Sequence, residues 1–149
     1  MEPFAAIVDG ATVESSVWAA ALRPSDEREP VAVFSPLAPA ELAVGVETVY
    51  EAYLVHYGTP RLFETPDADD AILLGDYLYA HGLVRIAEAG GVTAVATMAE
   101  LISRCAGLRA DRADGDGEAW AEAMEALGGD ADSAALAGAL ARHSARVAA

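Results

Sequence analysis

Apolar residues recur along most of this chain at alternating three- and four-residue steps, the period of a helix side rather than of a strand. Leu42, Val46, Val49, Tyr53 and His56 form one such row, and Ala43, Glu47, Tyr50, Leu54 and Tyr57 run beside it. The two rows predict a helix over 40–57 that is apolar on adjacent faces, which places it among other helices. A further row, Ile72, Asp76, Tyr79, Leu83 and Ile86, predicts a partner helix from after Pro66 to about Ala89. Each helix embeds one carboxylate in these rows, Glu47 or Asp76. A carboxylate in an apolar row has to be hydrogen-bonded, ion-paired or protonated, because isolating its charge costs several kcal/mol.

Proline and glycine punctuate the rest. A first helix over 10–22 stops at Arg23-Pro24, and four of the seven prolines (Pro24, Pro30, Pro36, Pro39) crowd into 23–39. Proline removes a donor and fixes φ, so this stretch reads as a proline-rich connection. Its run over 31–34 reads as an apolar loop segment packed on the helices. Gly58-Thr59-Pro60 ends the second helix, and Asp67 or Asp69 caps the third. Gly90-Gly91 separates the third from a fourth over 92–109. A loop at 111–117 leads to a fifth over 118–127, closed by Gly128-Gly129, and Asp132 or Ser133 caps a last helix to about Val147. The expected fold is all-α, a helical bundle of five or six helices in one domain over 1–149.

Composition narrows the classes. A chain of 149 residues fits one domain and is short for two. Alanine supplies 35 residues, which favours helix. There are 24 acidic residues against nine basic ones, all arginine, for a net charge of −15. Such a surface repels phosphate backbones and anionic lipid, so nucleic acid is not expected as a partner. At 54% hydrophobic and 22% charged, the chain is not a disordered acidic tail. Mean hydropathy is +0.25, yet no unbroken run reaches the roughly 18 apolar residues of a spanning helix, so no transmembrane segment is expected. The first ten residues include Glu2 and Asp9 and no basic residue, unlike a signal peptide. A single cysteine, Cys105, fits a reducing compartment, and the expected location is cytoplasmic.

All five tyrosines and two of the three histidines lie on the two central helices. Two readings follow. One is an amphipathic ligand cleft between these helices, lined by Glu47, Tyr50, Tyr53, His56, Asp76, Tyr79 and His81. The other is a packed core in which tyrosine hydroxyls and arginines satisfy Glu47 and Asp76. They differ in one observable: the two carboxylates face an open cavity, or they are enclosed and partnered. Gly75 and Gly82, seven apart, would let the helices approach closely. A third reading makes Glu47, Asp76 and His81 the acid–base groups of a small enzyme. Asp67, Asp69 and Asp70 are candidates for one divalent cation, with helix capping as the alternative. The acidic stretch 111–118 fails as a calcium loop, since Ala113 and Gly115 fall on ligand positions and Asp116 where glycine belongs; it reads as a solvated turn. His56, His81 and His143 have no zinc spacing, Cys105 reads as inert filling of an apolar helix, and no metal or cofactor is expected.

The run Ala71-Ile72-Leu73-Leu74-Gly75-Asp76-Tyr77-Leu78-Tyr79-Ala80 resembles the I-L-x-G-D-x-L-x-x-A helix of the trans-polyprenyl (isoprenyl diphosphate) synthases. Glu47 through Leu54-Val55-His56 resembles the upstream family helix that ends in Leu-Ile-His-Asp-Asp, and Ala99-Glu100-Leu101-Ile102 to Gly107 resembles the helix that follows. The resemblance covers 46–107, less than half of a typical synthase. It implies an isoprenoid-synthase-like helical fold in part. The family holds magnesium with two aspartate-rich motifs, but here Tyr57-Gly58-Thr59-Pro60-Arg61 stands where the first begins, and the second has no equivalent. The resemblance therefore implies a shortened, non-catalytic relative: an accessory subunit of a full-length prenyl synthase, or a binder of isoprenoid-type ligands. The alternative expectation is a self-associating helical module, such as a homodimer, that takes no small molecule.

Overall fold

The computed structural model describes residues 2–65 and 67–148. They form an all-α bundle with no strand: α1 (Pro3–Glu14), α2 (Ser16–Ala21), α3 (Ala43–Tyr57), α4 (Ala68–Ala110), α5 (Asp116–Ala126) and α6 (Ser133–Val147), with three short 3-10 turns before α3.

Helix α3 is the axis of the molecule. Every residue from Gly45 to Val55 is buried, as its two adjacent apolar rows require. On one side of it lies a core built on Phe34, Val46, Tyr50, Met98 and Trp120; on the other, Ala52 and Val55 meet Phe4, Ile7, Phe63, Leu74 and Leu78. The 31–34 run is indeed loop, and it delivers Val33 and Phe34 into the first core. Phe34 stacks on Trp120 with centroids 5.4 Å apart and meets the edge of Tyr50 at 5.4 Å.

Helix α4 packs along the full length of α3, and glycine sets the distance. A Cβ on Gly82 would stand 2.5 Å from Val49 Cγ2 and 3.0 Å from the Val49 amide; one on Gly75 would overlap the His56 ring. These glycines define the contacting face, so the inward row of α4 is Leu74/Gly75, Leu78, Gly82 and Ile86. Of the row expected from hydrophobicity, Ile86 alone lies on it. Ile72 and Asp76 lie exposed and Tyr79 and Leu83 half-buried, because the contact runs through residues that have no side chain to register in a hydrophobic pattern.

Gly91 (φ 73°, ψ −168°) adopts a conformation closed to L side chains and divides α4 into limbs over 68–90 and 92–110, where Gly90-Gly91 marks the break in sequence. By length and composition α4 also qualifies as a candidate membrane span, although Asp76, Arg85 and Glu88 interrupt its apolar run.

The N-terminal region departs from expectation. In place of one helix over 10–22 there are two. Pro3 opens α1, with the Glu2 carboxylate accepting from the amides of Phe4 (3.0 Å) and Ala5 (2.8 Å). Ser15 breaks the path and caps α2 by accepting from Val17 and Trp18. Asp67 and Asp132 cap α4 and α6.

Two glycine substitutions separate contact from propensity. Gly82→Ala should lower stability by about 1–3 kcal/mol through overpacking against Val49. Gly107→Ala, where an added Cβ meets nothing within 4 Å, should raise it by about 0.5–1 kcal/mol. Urea midpoints at unchanged m-value measure both.

Candidate functional site

The seven residues expected to line a cleft do not share one. Glu47, Tyr50 and Tyr53 are sealed beneath α3, whereas the Asp76 side chain is 68% exposed. His56 bridges the difference: its ring stacks on Tyr79 at 5.2 Å, and its Nε2 lies 3.5 Å from Asp76. Burial lowers the His56 pKa against the pull of Asp76, and burial raises that of Tyr79. His81 lies on the far flank of α4, against Tyr77 and 3.7 Å from Glu14. Glu47, Asp76 and His81 therefore do not converge as acid–base groups. Cavities of about 350, 380, 180, 170 and 320 Å³ indent the surface, and none is lined by any of the seven. The α3–α4 seam is filled because glycine brings the two backbones together.

What Glu47 does is structural. Glu47 and Glu51 stand one turn apart on α3, and the guanidinium of Arg61 lies between them, all three side chains fully buried. Arg61 Nη1 donates to Glu47, and Nε donates to Glu51 at 3.0 Å. Nη1 also donates to the Val31 carbonyl at 2.9 Å. Two carboxylates on one guanidinium leave an excess negative charge, and backbone amides answer it. Those of Arg61 (3.0 Å) and Leu62 (2.8 Å) donate to Glu51, and those of Val33 (3.3 Å) and Ser35 (3.4 Å) to Glu47. The rings of Phe4 and Tyr50 cover the guanidinium at 4.8 and 5.0 Å. Burial lowers the Arg61 pKa, but Glu47 and Glu51 outweigh it and raise it.

A second polar centre gathers residues the sequence left apart. Asp116 Oδ2 accepts from Tyr53 Oη (2.6 Å), Arg109 Nη2 (2.7 Å) and His143 Nε2 (3.0 Å), while Oδ1 accepts from the Gly117 amide. Burial opposes ionisation of Asp116, yet His143, Tyr53 and Arg109 together hold its carboxyl far below the usual range. The acceptor-only carboxylate requires a proton on His143 Nε2, and Nδ1 hydrogen-bonds with Tyr50 Oη at 2.8 Å. The turn is solvated over 111–114, as expected, but its Asp116 is an anchor of the core, because the N-terminus of α5 turns that side chain inward. Hydroxyl, imidazole and carboxylate in series have the order of a nucleophile relay. The hydroxyl, however, belongs to Tyr50, which is wholly buried and whose pKa burial raises. No substrate atom can reach it, and the relay fastens α6 and α5 to α3. Cys105 beside it is buried and its thiol pushed up to about 11, mainly by burial.

Asp67 accepts from the amides of Asp69 (2.7 Å) and Asp70 (3.4 Å), and Asp69 and Asp70 themselves point to solvent. Among the described residues no three His, Cys, Asp or Glu side chains are placed to hold a metal ion. Sequence reasoning missed Glu51, Arg61, Arg109, Asp116 and His143. Two signals were present: Glu51 lies four residues from Glu47, and His143 continues the apolar row Leu136, Ala139, Leu140 of α6.

Arg61→Met should destabilise by about 3–5 kcal/mol, because it strands two buried carboxylates; adding Glu47→Gln and Glu51→Gln should restore most of that, as read from thermal or urea unfolding. Asp116, with its native pKa depressed, contributes stability that is complete above the unfolded value near 3.9 and fades as the pH drops below it. The stability gap between wild type and Asp116→Asn should therefore narrow on acidification from pH about 6 to about 3. No protein-family model, no curated protein and no solved structure matches this chain.

Proposed function

We propose that the chain is a non-catalytic helical module that works by association, pairing with a second copy of itself through the outer face of α4. The observation that carries this reading is that face. Ile72, Leu73 and Val84 are 54–57% exposed on the first limb, with Ala80 and Ala87 between and beyond them. Between Asp70 and Arg85 the helix has one formally charged residue, Asp76. Scattered apolar residues are ordinary on a surface, but an apolar strip with a single charge is not, least of all on a chain of net charge −15.

Size supports a particular mode of pairing. The strip from 72 to 87 is about 22 Å long, too narrow by itself for the roughly 800 Å² that a standard interface removes from each partner. The ends of α1 and α2 lie beside it, held by the Trp18–Tyr77 stack and the Glu14–His81 contact, and they bring exposed Val13 and Val17. A pairing that includes them extends the apolar strip across three helices. The isoprenoid-ligand reading has less support, since the α3–α4 seam is filled. The accessory-subunit reading keeps one specific support: the synthase-like run Ala71 to Ala80 belongs to the helix that presents this face.

Light scattering at tens of micromolar should give twice the 15.4 kDa monomer mass, more firmly in high salt, which screens repulsion between two acidic chains. Leu73→Glu with Val84→Glu should give the monomer without loss of helicity. A wild-type monomer under both conditions would sink the pairing, and a stable complex with a full-length prenyl synthase would favour the accessory reading.

A further inference from the structure

The seam between α5 and α6 is concave along two adjoining cavities of about 350 and 320 Å³ that share Glu118 and Leu140. The larger has an apolar floor of Leu37, Ala121, Leu136 and Leu140. Glu118, Glu122 and Glu125 follow one another at four- and three-residue steps, so they stand in a row on the α5 wall, and Asp130 closes the end. Glu122 pairs with Arg104 at 2.7 Å, whereas Glu118, Glu125 and Asp130 have no ion pair among the described residues. Residues 111–132 hold eight carboxylates against one arginine, nearly half of the net charge of the chain.

We propose that this seam is a docking groove for a basic amphipathic segment of a partner protein. Its apolar side chains would lie on Leu136 and Leu140, and its lysines or arginines on Glu118, Glu125 and Asp130. Crowded carboxylates repel one another, and a cationic neighbour relieves that repulsion. At the edge of an apolar floor such contacts are less screened than on open surface. The chain supplies no cation to the groove itself: it lacks lysine, four of its nine arginines (Arg61, Arg104, Arg109 and Arg146) are already paired with carboxylates, and among the described residues no arginine lines either cavity. A second copy is the wrong occupant, because it brings no lysine and only nine arginines to a wall of carboxylates. An elongated trough with an apolar floor suits an extended or helical segment rather than a compact ion. The groove and the α4 strip share no residue, and neither inference depends on the other.

The test is titration of the full chain with a labelled amphipathic peptide carrying leucines on one face and lysines on its flanks, beside the same peptide with glutamates for lysines. Saturable binding of the lysine peptide is expected, weakening by about tenfold or more from low to high salt. The exposed triple variant Glu118→Gln/Glu125→Gln/Asp130→Asn should lose about tenfold or more, and Leu136→Ser should also weaken binding, while Leu73→Glu/Val84→Glu should bind as wild type does. Absence of saturable binding at low salt, undiminished binding by the triple variant, or equal affinity for the glutamate peptide would overturn the assignment.

Discussion

The guanidinium of Arg61 is the point on which the fold depends. It ties three separate stretches of chain, the loop at 31–35, one face of α3 and the turn at 61–62, into one hydrogen-bonded unit with no access to water. Buried ion pairs stabilise little in net terms, because desolvation offsets most of the attraction, but breaking one is severe. The cluster therefore acts less as glue than as a constraint on arrangement. Any packing of α3 that leaves either loop undocked strands a charge in the core. Once the loops are fixed, Val33, Phe34, Leu62 and Phe63 occupy their places in the two cores, and α1 and α4 have surfaces to close upon.

The second polar centre works by the same logic on another face of α3. Asp116, Arg109, Tyr53, His143 and Tyr50 satisfy one another almost completely, and each comes from a helix or helix end that the network holds in register. Buried tyrosines, histidines and carboxylates are also what an active site is made of. Here the distinguishing fact is access and commitment: Glu47, Glu51, Tyr50 and Tyr53 are enclosed, Asp116 and His143 border a surface cavity but are bonded to one another and to Arg109 and Tyr53, and the more exposed Asp76 and His81 stand apart. The surface, rather than the interior, is where this molecule has unpartnered apolar and charged groups.

The helical architecture was legible because helix ends are local events. Pro24, Pro60, Gly91, Asp67 and Asp132 each act within a turn of their own position, and all mark boundaries in the structure. The break at Ser15 was not legible, since a serine inside an alanine-rich run is as easily helix as cap. The face that α4 presents to α3 was misjudged for a related reason: hydrophobic periodicity cannot register Gly75 and Gly82, whose role is to be small. The polar networks escaped because they join distant positions. Arg61 reaches Glu47 across 14 residues, His143 reaches Asp116 across 27, and Tyr50 reaches His143 across 93. No spacing rule connects such residues, and only the folded chain brings them within 3 Å.

Helix α6 contributes just two buried side chains, Ala139 and His143, and is otherwise held by Tyr50 and Asp116 through His143 and by Glu29 and Thr59 through Arg146. With so little apolar area to lose, it can detach while α3 and the cores around it stay standing. Amide protons of α6 then exchange through a partial opening, well before those of α3, which exchange only when the whole bundle comes apart. Lifting α6 also removes one wall of the α5–α6 trough, so that concavity exists only in the closed population. Occupancy of the trough and protection of the α6 amides are thus one equilibrium seen from two sides.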